Sequence, residues 1–280
     1  MADINATHGQ RRMLTATALR LIALISAAIL GTFSITIGHL DWAAVGAAAG
    51  LGAALVIEVY LLTERPDRQW YESRAAAESA KTLAWRYAVG GQPFGLTELD
   101  QRAAEDLLLK RFTLITGNLR NLVLPTEDEG EGMQVTADMR RLRGQSLDLR
   151  RRAYRIGRIG DQRRWYTRRG REHGRNVARW SILLALLEAL GLIAAVLNAV
   201  NIVNIDLPGI AGALAAGGLA WLQTRQHEQL ATAYAIAGQE LGHIESRIDW
   251  PESEAEWAHF VDEVEEAISR EHTLWWASHA

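Results

Sequence analysis

The sequence predicts an all-α membrane protein, with four transmembrane helices arranged as two hairpins and continued into a cytoplasmic helical bundle or coiled coil. Three observations predict it. First, four runs are nearly free of charge: residues 21–40 contain no Asp, Glu, Lys or Arg, 42–63 contain only Glu58, 181–205 only Glu188, and 207–224 none. A helix rises about 1.5 Å per residue and the bilayer core is about 30 Å thick, so each run is long enough to span it. Second, the runs come in pairs. Asp41 closes a minimal gap in the first pair and Asp206 does so in the second, and so short a connection forces antiparallel neighbours. Third, no segment alternates with a period of two residues, so no sheet is expected.

The averages conceal this. The chain has 280 residues, a formal charge of −3 and no cysteine, which on their own describe an ordinary soluble protein of one or two domains. The missing cysteine excludes a disulfide scaffold, a thiol nucleophile and cysteine-ligated metal. Core helices of soluble proteins seldom run this long without charge, which disfavours buried soluble hairpins.

The elements follow in order. Arg11, Arg12 and Arg20 precede the first run. They resemble the basic start of a signal peptide, but a second span follows at once and no small-residue cleavage site is evident, so an uncleaved helix is expected. Asp41 and Asp206 stand at helix N-cap positions, and Pro208 suits a first helical turn. Residues 70–88 are alanine-rich and helical up to Gly90, Gly91, Gln92 and Pro93, and Thr97 with Asp100 resembles a helix-start box opening 99–122. Residues 125–139, acidic and glycine-bearing, are the linker candidate. Leu230, Tyr234, Ala237, Leu241, Ile244 and Ile248 form a heptad seam, expected to continue the fourth span without a break until Pro251. Trp257, Phe260, Val261, Val264, Ile268 and Trp275 line one face of a last helix whose other face is acidic. The organisation is therefore two repeats, at 1–124 and 140–280, joined by the linker.

Charge is just as uneven. Residues 140–180 hold 15 arginines against Asp148, Asp161 and Glu172, a net of +12, while residues 225–280 carry a net of −9. Arginine flanks the predicted spans on one side and both hairpin turns are acidic. The positive-inside rule places both termini and the central segment in the cytoplasm of a multi-pass inner-membrane protein. The same rule explains the arginine-rich stretch without nucleic acid, which is therefore not an expected partner. A further reading is that the +12 segment packs against the −9 tail, within a subunit or between neighbours.

Candidate polar sites follow from cost. A carboxylate inside a membrane is expensive and usually faces protein or water. Glu58 and Glu188 both fall about 8–10 Å inside the cytoplasmic ends of their spans, and two repeats with an acid at one depth point to a cation-attracting ring in a homo-oligomer. Snorkelling, or a pair with a flanking arginine, is the alternative. Asn198 and Asn201, with Asn204, recur every three residues and either line a wet path or hydrogen-bond a neighbouring helix. Gly46 and Gly50, and the ridge Gly209, Ala213 and Gly217, favour close helix packing. Eight histidines form no ligand spacing, no Gly-x-Ser-x-Gly or phosphate-loop motif appears, and no cofactor, metal or enzymatic activity is expected.

Several motifs match a known family. Asp161, Gln162, Trp165 and Tyr166, followed by a basic helix and a hairpin, resemble the opening of a SLATT domain (SMODS and SLOG-associating two-transmembrane effector domain). Glu271, His272 and Trp275, with Trp276, are similar to the end of that domain. Residues 78–87, running on to Pro93 and Phe94, resemble a second SLATT subtype, so that a tandem of two subtypes spans nearly the whole chain. The resemblance implies a bacterial membrane-perturbing or pore-forming effector of nucleotide-signalling and anti-phage defence, accompanied by a nucleotide-signalling partner protein. The reading from a different class is a non-conducting membrane scaffold whose cytoplasmic helices dock that partner.

Overall fold

The computed structural model describes residues 2–64, 66–118, 134–202 and 205–277. These are nearly all helical: α1 (Ala2–Leu30), α2 (Trp42–Glu64), α3 (Pro66–Val89), α4 (Gln101–Asn118), α5 (Ala137–Arg143), α6 (Leu147–Tyr154), a π-helical turn (Arg155–Gly160), α7 (Asp161–Ala199), α8 (Leu207–Arg225), α9 (His227–Ser246) and α10 (Glu254–Ala277). Residues 125–133 of the expected linker lie outside the described residues. The chain divides into two compact units: residues 1–8, 68–170 and 232–280 form unit 1, and residues 9–67 and 171–231 form unit 2.

Unit 2 holds the apolar helices. Among the described residues three helical stretches are long and apolar enough to cross a membrane, Arg11–Leu30, Trp42–Glu64 and, within Leu147–Ala199, the apolar end of α7. This corrects the expectation at the first span and at the turn that follows it. The first apolar helix ends at Leu30 and not at residue 40, because Gly31 and the β-branched stretch that follows leave the helix, so the helix that could span lies further toward the N-terminus than the uncharged run. Ile35 and Trp42 are joined by a backbone hydrogen bond, and a two-residue antiparallel ribbon forms, with β1 (Thr36–Ile37) against β2 (Leu40–Asp41) and Gly38 at φ +69° between them. A small sheet therefore exists where none was expected. Four spans are also not established, since the 19-residue α8 dilutes its apolar residues with Pro, Gly and Gln.

The caps form as the sequence reads. Asp41 Oδ1 accepts from the backbone N–H of Ala43 at 3.0 Å and of Ala44 at 3.3 Å, and Asp206 Oδ1 accepts from Gly209 at 2.9 Å, satisfying donors that a helix start leaves open. Helix α7 stops at Ala199. Asn201 sits at φ +57°, a left-handed position that asparagine tolerates. The surfaces these helices expose are apolar: Leu55, Val56 and Leu62 on α2, and Leu186, Leu190 and Leu192 on α7, are each more than half exposed. Water would penalise such a surface and lipid would not.

Unit 1 is built like the interior of a soluble protein. Its larger core gathers Val89, Tyr154, Ile159, Tyr166, Trp257, Val261, Val264 and Ile268 around the heptad seam of α9, of which Ala237, Leu241, Ile244 and Ile248 are buried. The seam thus packs inside the chain. A second cluster joins Leu83, Tyr87 and Phe94 to Ala104 and Leu108 of α4. Gly91 passes so close to Val261 that a Cβ would lie 2.3 Å from its Cγ1. Two expected boundaries are corrected. The fourth hydrophobic helix does not run on unbroken, because Gln226 adopts φ +47° and its N–H bonds to Leu222 and Gln223, closing α8 before α9 begins. The start of α4 is capped by Asp100, whose Oδ1 accepts from Ala103 at 2.8 Å, and Thr97 lies outside the helix. The end of α9 and the acid-faced α10 form as expected, with Ser253 capping α10 through Glu256 N–H at 3.2 Å.

Candidate functional site

In unit 2 the charges within the apolar helices come first. Glu58 on α2 pairs with Arg20 on α1, Nη1 to Oε2, at 2.6 Å. Because α1 ends at Leu30, the apolar stretch of that helix takes in Arg20, which is no longer a flank, and the two charges neutralise each other where either alone would be costly. The antiparallel register that brings them together is set by glycine. A Cβ on Gly50 would lie 3.0 Å from the carbonyl of Ala23 and 3.1 Å from Ala27 Cβ, and one on Gly46 would lie 2.9 Å from Leu30 Cδ1.

Glu188 is different. It is exposed on α7 between Leu186 and Leu190, which are 59% and 63% exposed, and no ion pair reaches it among the described residues. Asn198 turns its amide to the loop, donating to the carbonyl of Ile205 at 3.1 Å, and Asn201 lies beyond the helix; Asn204 lies outside the described residues. Gly217 packs on α1, where a Cβ would lie 2.5 Å from Ile25 Cδ1. Gly209 serves the Asp206 cap, with a Cβ there 2.3 Å from Asp206 Oδ2. Ala213 is half-buried. His173 and His227 meet Nδ1 to Nδ1 at 2.8 Å, a pairing that no sequence spacing signals, and burial lowers the His227 pKa, helped by the charge of Arg225.

In unit 1 the arginine-rich stretch turns inward. Arg158, fully buried on the π-helical turn, donates from Nε to Glu265 Oε1 at 2.9 Å and from Nη2 to Glu265 Oε2 at 2.7 Å, and its Nη2 lies 2.9 Å from Glu78 Oε1. Tyr154 donates to Glu265 Oε1 and Thr82 to Oε2, each at 2.9 Å. Burial, reinforced by the Glu265 charge, pushes the Tyr154 hydroxyl well above its usual range, so it remains a donor. Arg150, also fully buried, donates to the carbonyl of Val89 at 2.7 Å and pairs with Glu254. Arg143 donates to the carbonyls of Tyr87 and Phe94 at 3.0 and 2.6 Å, with its guanidinium 5.1 Å from the centre of the Tyr87 ring. Arg155 and Arg163 pair with Asp249 and Glu245. The basic segment therefore meets the acidic C-terminal part within one subunit, and these arginines clamp helix ends. The resemblance motif takes part: Gln162 donates to Glu78 at 3.3 Å, Trp165 packs edge-on against Tyr166 and Tyr234 with centroids 5.2 Å apart, and Asp161 pairs with Arg164. Glu271, His272 and Trp275 fall on α10, with side chains outside the described residues.

Arg140 grips Glu105 from Nε at 2.9 Å and Nη2 at 3.1 Å. That bidentate contact, with donors from Gln101 and Tyr87, holds the Glu105 carboxyl down at about 2. A depressed folded-state pKa contributes stability that is fully present above the unfolded carboxylate value and is lost as pH falls through the folded one. The protection of α4 and α5 amides from hydrogen exchange, relative to the intrinsic rate at each pH, is expected to be unchanged at about pH 5 and to fall as pH drops toward about 2. Protection that falls already at about pH 5 would contradict the assignment.

Among the described residues no group of three or more His, Cys, Asp or Glu is placed to hold a metal ion. Sequence reasoning missed Arg20 as a residue of the first apolar helix and Arg158 as a buried hub. The only signal for either was an unpaired acid elsewhere in the chain, Glu58 for one and Glu265 for the other.

Comparison with curated proteins and with solved structures gives no match. A family model described as SMODS and SLOG-associating 2TM effector domain 3 matches residues 1–151, and one described as SMODS and SLOG-associating 2TM effector domain 1 matches residues 154–275. The chain belongs to the SLATT family, as two tandem domains of different subtypes, and this membership with its apolar helices makes it a membrane-associated effector of defence systems.

Proposed function

We propose that the protein is a multi-pass inner-membrane effector that assembles from several copies and conducts ions when triggered, with Glu188 lining the path. One observation carries this reading: Glu188 stands exposed, with no ion pair among the described residues, on an apolar face of α7. A carboxylate there is costly against lipid and is stabilised by water or another protein surface, and several copies arranged around an axis supply both, as acidic rings do in cation pores. Glu58 has its charge answered by Arg20 and is assigned to holding the hairpin together. The scaffold reading is weaker, because the heptad seam that would dock a partner is buried in unit 1.

Purified full-length protein in potassium-loaded liposomes tests the reading. Wild type is expected to release the ion, and Glu188→Gln to slow release severalfold, by removing the negative potential at the path. Equal release by Glu188→Gln would remove Glu188 from the account.

A further inference from the structure

Unit 2 contains an open groove that neither the membrane-effector role nor the pore reading uses. It has a volume of about 400 Å³ and lies between α1 and α8, lined by Arg11, Leu14, Thr15, Ala18, Leu19, Trp221 and Arg225. Arg11 lies in the N-terminal half of α1 and Arg225 closes α8. The two helices run antiparallel, touching at Ile25 and Gly217, so both guanidinium groups mark the same end of the apolar bundle.

The charge in this groove is one-sided. No acidic residue lines it, and neither arginine forms an ion pair among the described residues. Arg225 lies over the Trp221 ring, 5.3 Å from its centre, which holds its guanidinium at this end of the groove. Two arginines on the lining of one groove, with no acid beside them, supply N–H donors and positive charge that suit the oxygens of a phosphate. Below them the lining is apolar, and Leu19 and Ile22, 52% and 58% exposed, continue it along α1 away from the arginines. The indole stands between the charged mouth and the apolar track, the position tryptophan takes at a membrane interface.

We propose that this groove binds one anionic phospholipid of the inner leaflet, with its phosphate on Arg11 and Arg225 and an acyl chain along Leu14, Ala18, Leu19 and Ile22. A soluble phosphate compound would satisfy the arginines but leave the apolar track empty, so the lipid is the occupant that accounts for both halves of the site. The proposal rests on the reading of α1 as membrane-spanning.

The test is native mass spectrometry of the full-length protein in uncharged detergent, titrated separately with phosphatidylglycerol and phosphatidylcholine of matched chains. Wild type is expected to retain phosphatidylglycerol preferentially. Arg11→Gln and Arg225→Gln are each expected to weaken that retention about fivefold, the effect of one interfacial arginine on an anionic lipid. Arg225→Lys, which keeps the charge, should retain most of it, and Arg179→Gln, at an exposed arginine outside the groove, should retain all of it. Equal retention of the two lipids overturns the proposal, as does a loss in Arg179→Gln equal to that in Arg225→Gln, which would mean diffuse attraction. Displacement of the lipid by excess glycerol phosphate would assign the site to a soluble ligand and also overturn it. Retention of neither lipid would count against the membrane-spanning reading as well.

Discussion

Replacing Arg158 by methionine is expected to destabilise unit 1 by about 3–5 kcal/mol, the range for breaking a buried ion pair from one side. The size follows from what is left behind. Glu265 is fully buried and would keep only the Tyr154 and Thr82 hydroxyls as donors, while Glu78 would lose its guanidinium partner. The carboxylate would then have to take up a proton or draw in water. Removing both charges, as in Arg158→Met with Glu265→Leu, should be less damaging than the sum of the single changes, with a coupling of about 1–3 kcal/mol. Thermal or denaturant unfolding of the four members of this cycle measures it. Additive losses would mean that the two side chains do not act as a pair.

The second large effect belongs to unit 2. Arg20→Leu leaves Glu58 alone in an apolar helix pair, and an unpaired charge costs up to about 2.5–3.5 kcal/mol at the centre of a span and less toward its end, where Glu58 lies. The variant is expected to insert and fold poorly. Adding Glu58→Gln should restore most of the loss, since the amide keeps the shape and drops the charge. Glu58→Gln alone should cost less than Arg20→Leu, because Arg20 has a long stem that can carry its charge toward the interface. Folded yield and melting temperature in detergent report all three. An undamaged Arg20→Leu protein would show that the ion pair at 2.6 Å contributes nothing.

What the sequence revealed depended on whether local chemistry or distant pairing decided the outcome. Asp41 and Asp206 were legible because an N-cap is a local device. The seam from Ala237 to Ile248 and the face from Trp257 to Ile268 were legible because burial repeats with the helix. The end of the first apolar helix is not legible from absence of charge. In fact Arg20 stays in the helix by pairing with Glu58, while the uncharged residues after Gly31 leave it, their β-branched side chains suiting the short ribbon that forms there. The break at Gln226 was hidden because a left-handed glutamine has no sequence signature. For the arginine-rich stretch, packing against the acidic tail was one of several open readings, and only the positions of Arg150, Arg158, Glu254 and Glu265 decide among them. The groove bounded by Arg11, Trp221 and Arg225 joins residues more than two hundred positions apart, which no periodicity connects.

The most direct test of the conducting role is single-channel recording from the purified full-length protein in a planar bilayer under a salt gradient. Discrete openings with a cation-selective reversal potential are expected, and Glu188→Gln should move that potential toward zero while openings persist. A bilayer that stays silent under every activating condition would contradict the account.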